Sequence, residues 1–138
     1  MHVIRSCAAA VCACACTVTL ADEEIDVKPA MAVAEAWLAG VDAGRYGASW
    51  EEAAPLFREA MAKITWETTI EGVRAPLGTP IRKLRQAAYT RVLPNAPEGE
   101  YVVIQYDTRF ENRPLSTEIV TPMRGHDGVW KVSGYIIR

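Results

Sequence analysis

From Pro29 to Gly78 the apolar residues recur every three or four positions, and after Pro80 they alternate with polar ones. That change of period predicts helices first and strands afterwards. Pro29 suits the first turn of a helix, where its missing N–H would have no intrahelical partner anyway. Ala34, Leu38 and Val41 follow as one apolar stripe, widened by Val33 and Trp37, and Gly44 marks the stop. Ser49, with Glu52 three residues on, has the form of a capping box and predicts the start of a second helix. Pro55 interrupts that helix, which resumes with Leu56, Phe57, Ala60 and Met61. Thr65 is the expected cap of a third helix, with Trp66, Ile70 and Val73 on one face and Pro76 and Gly78 beyond its end.

The alternating half divides into four strands, over about residues 81–93, 100–111, 114–124 and 129–137. Turn-forming residues separate them at 94–99, at Asn112-Arg113 and at His126-Asp127. If the last two turns are two-residue loops, Phe110 faces Leu115, Thr108 faces Thr117, Tyr106 faces Ile119 and Ile104 faces Thr121. The next hairpin sets Met123 against Trp130, Thr121 against Val132, Ile119 against Gly134 and Thr117 against Ile136. Both pairings put the same third-strand residues on the apolar face, and a slip of one residue would invert that face. Pro122 cannot donate to the ladder and marks a bulge or an edge. The expected fold is α+β: N-terminal helices packed on a curved four-stranded antiparallel sheet, cone-like, in the order α-α-α-β-β-β-β.

All four cysteines (Cys7, Cys12, Cys14 and Cys16) lie ahead of this pattern, in an uncharged stretch from Ala8 to Leu20 that follows a mildly basic start. This is the order of a secretory signal peptide. We expect residues 1–21 to be that signal, cut after Ala21, and residues 22–138 to be one α+β domain. The stretch is shorter than the roughly 20 apolar residues a spanning helix needs, so no spanning membrane helix is expected. The expected address is export to the periplasm, with lipidation of a cysteine as the alternative. Beyond the signal there is no thiol and one histidine, His126. Cysteine nucleophiles, Cys/His zinc sites and two-histidine dyads are thereby excluded from the body, and no cofactor or metal is expected. The chain carries a net charge of −2, with no basic footprint for nucleic acid. Lys83, Arg85 and Arg91, with Arg82, read as solvated strand residues.

Two groups of side chains could carry chemistry. On the expected apolar face Tyr106, Thr108, Thr117 and Thr121 place hydroxyls among Ile104, Phe110, Ile119, Val132 and Trp130. Apolar walls with a few convergent polar groups are what a small-molecule pocket needs, so Tyr106, Thr108, Thr117, Thr121 and Trp130 are the candidate ligand-binding residues. Strand threonines and tyrosines also pack on their own account. On the other face Asp107 is expected across from Glu118, with Arg109 diagonal to it. Facing carboxylates in a cleft can act as general acid and base, whereas an arginine between them makes a structural ion cluster. Tyr101, Val103, Tyr135 and Ile137 make that face apolar enough for a homodimer.

The segments AEAWLAGVDAGRYGASWEEAAPLFR, VRAPLG, RKLRQAAYTRVLP, PEGEYVVIQYDTRFEN and DGVWKVSGYIIR, in this order, resemble the exported bacterial family catalogued as domain of unknown function 4019. More distantly, the element order and the closing GVWKVSGY resemble the nuclear-transport-factor-2-like superfamily. That likeness implies a cone with an internal pocket and dimerisation through the outer sheet face, and shared fold leaves the activity open. The reading for function is an exported, non-catalytic module that binds a small ligand or an envelope protein in the helix/sheet concavity. The alternatives are a cofactor-free isomerase or hydrolase using Asp107 or Glu118, and a structural envelope protein.

Overall fold

Helix α1, Lys28–Asp42, carries Pro29 in its first turn and buries Ala30, Ala34, Trp37, Leu38 and Val41, the stripe that its spacing predicts. The computed structural model describes residues 24–138, so the expected signal segment at residues 1–21 lies outside the described residues. Gly44 takes a φ of 76°, which lets the chain reverse at once after α1. Two short helices follow, α2 (Tyr46–Glu52) and α3 (Pro55–Ala60), then α4 (Lys63–Arg74) and a single tight turn at Ala75–Leu77.

Ser49 does not cap α2, which begins three residues earlier at Tyr46 because Gly44 has already turned the chain. Its hydroxyl is buried instead, donating to the Tyr46 carbonyl at 2.6 Å and accepting the Trp66 indole N–H at 2.9 Å. Helix α4 likewise starts at Lys63, ahead of Thr65, and its buried face is Trp66, Ile70 and Arg74, with Val73 turned toward solvent.

Strands β1 (Pro80–Thr90), β2 (Glu100–Phe110), β3 (Arg113–Arg124) and β4 (Trp130–Ile137) form one antiparallel sheet in sequence order. The helices pack on one face of it. There Trp37, Phe57, Trp66 and Tyr135 meet with ring centroids 4.9 to 6.5 Å apart. Val102, Ile104, Tyr106, Val120 and Val132 complete the core. Burying each such large apolar side chain contributes about 1.5–3 kcal/mol. The Trp37 indole donates to the Ser49 carbonyl at 2.8 Å, so the aromatic centre leaves neither of its indole N–H groups unpaired.

The register of β3 departs from the expected one by a single residue, and this overturns the expected face of that strand. Thr108 lies opposite Ser116, Tyr106 opposite Glu118 and Ile104 opposite Val120. The turn falls at Glu111-Asn112, one residue earlier than expected, and Pro114 and Leu115 together oppose Arg109 in a bulge. Pro114 has no N–H for the ladder, which favours a bulge there. At the other end the loop spans 125–129 rather than two residues, Pro122 pairs with Val132, and Ser133 forms a second bulge. Each slip is one residue next to its turn, and each inverts the face of β3, so the two expected pairings agreed with each other and were both wrong. Strand β2 presents the expected residues inward, and β4 does so at Trp130 and Val132, ahead of its bulge; beyond it Gly134 and Ile136, expected inward, face outward. On β3 the inward residues are Ser116, Glu118, Val120 and Pro122, while Thr117, Ile119 and Thr121 face outward. The Ser133 bulge turns Tyr135 and Ile137 inward, opposite Val120 and Glu118. Tyr101 is fully buried beneath the β1–β2 connection, its hydroxyl bonded to the Pro97 carbonyl at 2.6 Å. Of the four residues expected to form an apolar outer face, Val103 is the one left there.

Candidate functional site

Glu118 is 0% exposed, and the inverted register of β3 is what places it against the helices. Arg82 on β1 clamps it in fork geometry, Nε to Oε1 at 2.6 Å and Nη2 to Oε2 at 3.1 Å. Thr108 on β2 donates to Oε1 at 2.7 Å, and Tyr135 on β4 donates to Oε2. Four donors from three strands therefore occupy both oxygens. The other side of Arg82 reaches Asp42 at the end of α1, with Nη2 to Oδ1 at 2.7 Å and Nη1 to Oδ2. Arg74, at the end of α4, donates to the same Oδ1 at 2.5 Å and to the Tyr135 hydroxyl at 3.2 Å, and its guanidinium lies 5.1 Å from the Phe110 ring centre.

The result is a cluster of two carboxylates and two guanidiniums, balanced in charge, that ties both long helices to all four strands. Buried charge is costly unless paired in this way. Burial raises the Asp42 carboxyl, but Arg82 and Arg74 outweigh it and hold Asp42 below its ordinary 3.8. Burial lowers Arg82, and its hydrogen bonds to Asp42 and Glu118 more than reverse this. The Tyr135 hydroxyl is pushed well above its ordinary 10.0, first by burial and then by the neighbouring Glu118 charge. An acid at a helix C-terminus faces the negative end of the helix dipole, so Asp42 depends on these two arginines.

Beside the cluster runs a groove of about 330 Å³, with Glu35, Leu38, Ala39 and Asp42 of α1 on one wall and Arg82, Leu84 and Tyr106 on the other. Tyr106 is 5% exposed and its hydroxyl has no hydrogen-bond partner. Burial, followed by the charge of Glu35, raises that hydroxyl above its ordinary 10.0. A buried hydroxyl without a partner costs about 1–3 kcal/mol.

The residues singled out from the sequence do not gather into one site. Tyr106 borders the groove and Thr108, on the same strand face, is absorbed by Glu118. Thr117 and Thr121 lie on the outer face, where the Thr121 carbonyl accepts the Ser133 hydroxyl at 2.7 Å. Trp130 packs at the edge of the core where β4 begins. The facing pair of Asp107 and Glu118 is not formed. Asp107 pairs with Thr117 on the outer face and makes a half-exposed ion pair with Arg85 at 2.5 Å, on the side of the sheet opposite Glu118. His126 is exposed in the β3–β4 loop. Among the described residues no three His, Cys, Asp or Glu side chains converge as metal ligands, and no helix is long and apolar enough to cross a membrane.

Asp42, Arg74 and the inward Tyr135 carried no role in the sequence analysis, and Arg82, expected there as a solvated strand residue, is instead 16% exposed at the centre of the cluster. Asp42 carried a signal, an acid at the wrong end of a helix. Arg74 carried another, since it continues the spacing of Trp66 and Ile70. Compared with known proteins, the chain matches the family described as Protein of unknown function (DUF4019) over residues 33–135. No curated protein matches.

Proposed function

The chain belongs to the DUF4019 family, and we propose that this member is a non-catalytic module that binds a small amphipathic molecule in the groove between α1 and the β1–β2 edge. The observation that carries this reading is the groove itself, walled by Tyr106, whose buried hydroxyl beside it has no hydrogen-bond partner. Leu38, Ala39 and Leu84 supply apolar contact beside it, and a volume of about 330 Å³ suits a small ligand. Binding is favoured over turnover by the condition of the nearby acids. Each oxygen of Glu118 already accepts two hydrogen bonds, and Asp42 is held below its ordinary 3.8 by two arginines, so neither is poised to take a substrate proton.

Two variants test the reading. Tyr106→Phe removes a polar atom that has no partner in the free protein, so it should leave the unliganded protein equally stable or more stable by about 1 kcal/mol. Ala39→Trp fills the groove from an exposed helix position. Native mass spectrometry of the purified wild type should show a co-purified small molecule, reduced in Tyr106→Phe and lost in Ala39→Trp, with circular dichroism unchanged. Wild-type protein with no adduct, or an adduct retained by Ala39→Trp, would remove the groove as the binding site.

A further inference from the structure

The outer end of the β2–β3 hairpin has a composition that neither the core nor the groove requires. Leu115 is 92% exposed and Ile81 72% exposed. The register places Arg109 between them, opposite Ile81 on β1 and opposite the Pro114-Leu115 bulge on β3. The next residues on this face of β1 are Lys83 and Arg85, both exposed. A depression of about 740 Å³ collects Arg85, Arg109 and Arg138 around Leu115 and Thr117. Among these cations Arg85 is neutralised by Asp107 at 2.5 Å. The Glu111 carboxylate, in the hairpin turn, accepts the Thr79 amide at 3.2 Å. A basic patch tipped by two bare aliphatic side chains therefore stands on a chain whose net charge is −2.

We propose that this hairpin end docks on an anionic lipid surface, with Leu115 and Ile81 entering the headgroup layer and Arg109, Lys83 and Arg138 meeting lipid phosphates. Charge complementarity selects an anionic partner. The aliphatic tips select a lipid layer over an acidic protein, because a deformable headgroup region can cover isolated protruding side chains without a matching cavity. Arginine and lysine stems are long enough to lie along that layer while their charged heads remain with the phosphates. The site lies on the sheet face opposite the helices and is independent of the ligand groove.

Co-sedimentation of the full chain with phosphatidylcholine vesicles, with and without about 30 mol% phosphatidylglycerol, tests the proposal. Binding should require the anionic lipid and weaken as salt rises. Arg109→Gln should bind about fivefold more weakly. Leu115→Ser, a change at a nearly bare position, should lose a similar factor or more and retain that loss at high salt, where charge is screened. Arg91→Gln, an exposed arginine outside this patch, should bind as wild type does. Binding that needs no anionic lipid, or that both Arg109→Gln and Leu115→Ser leave intact, overturns the proposal, as would binding carried by residues 1–21. Preference for soluble poly-glutamate over anionic vesicles would also overturn it, in favour of an acidic protein partner.

Discussion

A fully buried carboxylate survives in this protein because every lone pair facing the donors is used. Glu118 receives Arg82 twice, Thr108 and Tyr135, and the arginine that neutralises it is itself shared with Asp42. Removing one partner of such a cluster leaves the other as an uncompensated buried charge, which costs about 3–5 kcal/mol. Glu118→Ala should therefore lower stability by about that amount in urea unfolding. Asp107→Ala, at a half-exposed surface pair, should cost less than about 1 kcal/mol. Near-equal losses would mean that the buried cluster does not hold the fold together. The sequence drew attention to both acids and set them across from each other. A shift of one residue separated them, moving Glu118 into the interior and leaving Asp107 with Arg85.

Among the elements, α2 departs furthest from its local signal. Ser49 and Glu52 have the spacing of a capping box, but Gly44 starts the helix earlier and the tertiary structure uses the serine hydroxyl to accept the Trp66 indole N–H. The two uses predict different mutational outcomes. In the observed arrangement Ser49→Ala strands a buried indole donor and should cost about 1–3 kcal/mol. Glu52→Ala, at an exposed position, should stay within about 0.5 kcal/mol of wild type by thermal unfolding. Comparable losses from both variants would restore the capping box. Strand β3 makes the same point with larger consequences. Its apolar residues Leu115, Ile119 and Met123 alternate in favour of the expected face, yet the turn at Glu111-Asn112 and the bulge at Pro114 set the opposite one. Hydrogen bonds from Arg82, Thr108 and Tyr135 to Glu118 then offset the aliphatic surface left outside.

Over the whole molecule, the ion cluster makes stability depend on pH at both extremes. Asp42 has its folded value depressed, so its contribution is fully present above its ordinary value of 3.8 and is lost as pH falls through the lower folded value. Tyr135 has its folded value raised, so its contribution is complete below its ordinary 10.0 and is lost as pH rises beyond that toward the folded value. The melting temperature should therefore fall on both sides of a plateau. Asp42→Asn should flatten the acid limb and Tyr135→Phe the alkaline limb, each at some cost in stability near neutral pH. Limbs unchanged in both variants would show that other groups control the pH response.

Local chemistry in the chain was enough to determine the order of helices and strands, the buried stripe of α1, the stop at Gly44 and the inward face of β2. Periodicity and turn residues act within about ten positions of one another, so they are readable without a partner. The face of β3, the inward turn of Tyr135 and the meeting of Asp42, Arg74, Arg82 and Glu118 were decided only in three dimensions. Asp42 and Arg74 are 32 positions apart and Arg82 and Glu118 are 36. No local pattern links residues at that separation, and their pairing follows from where two bulges let the strands come to rest.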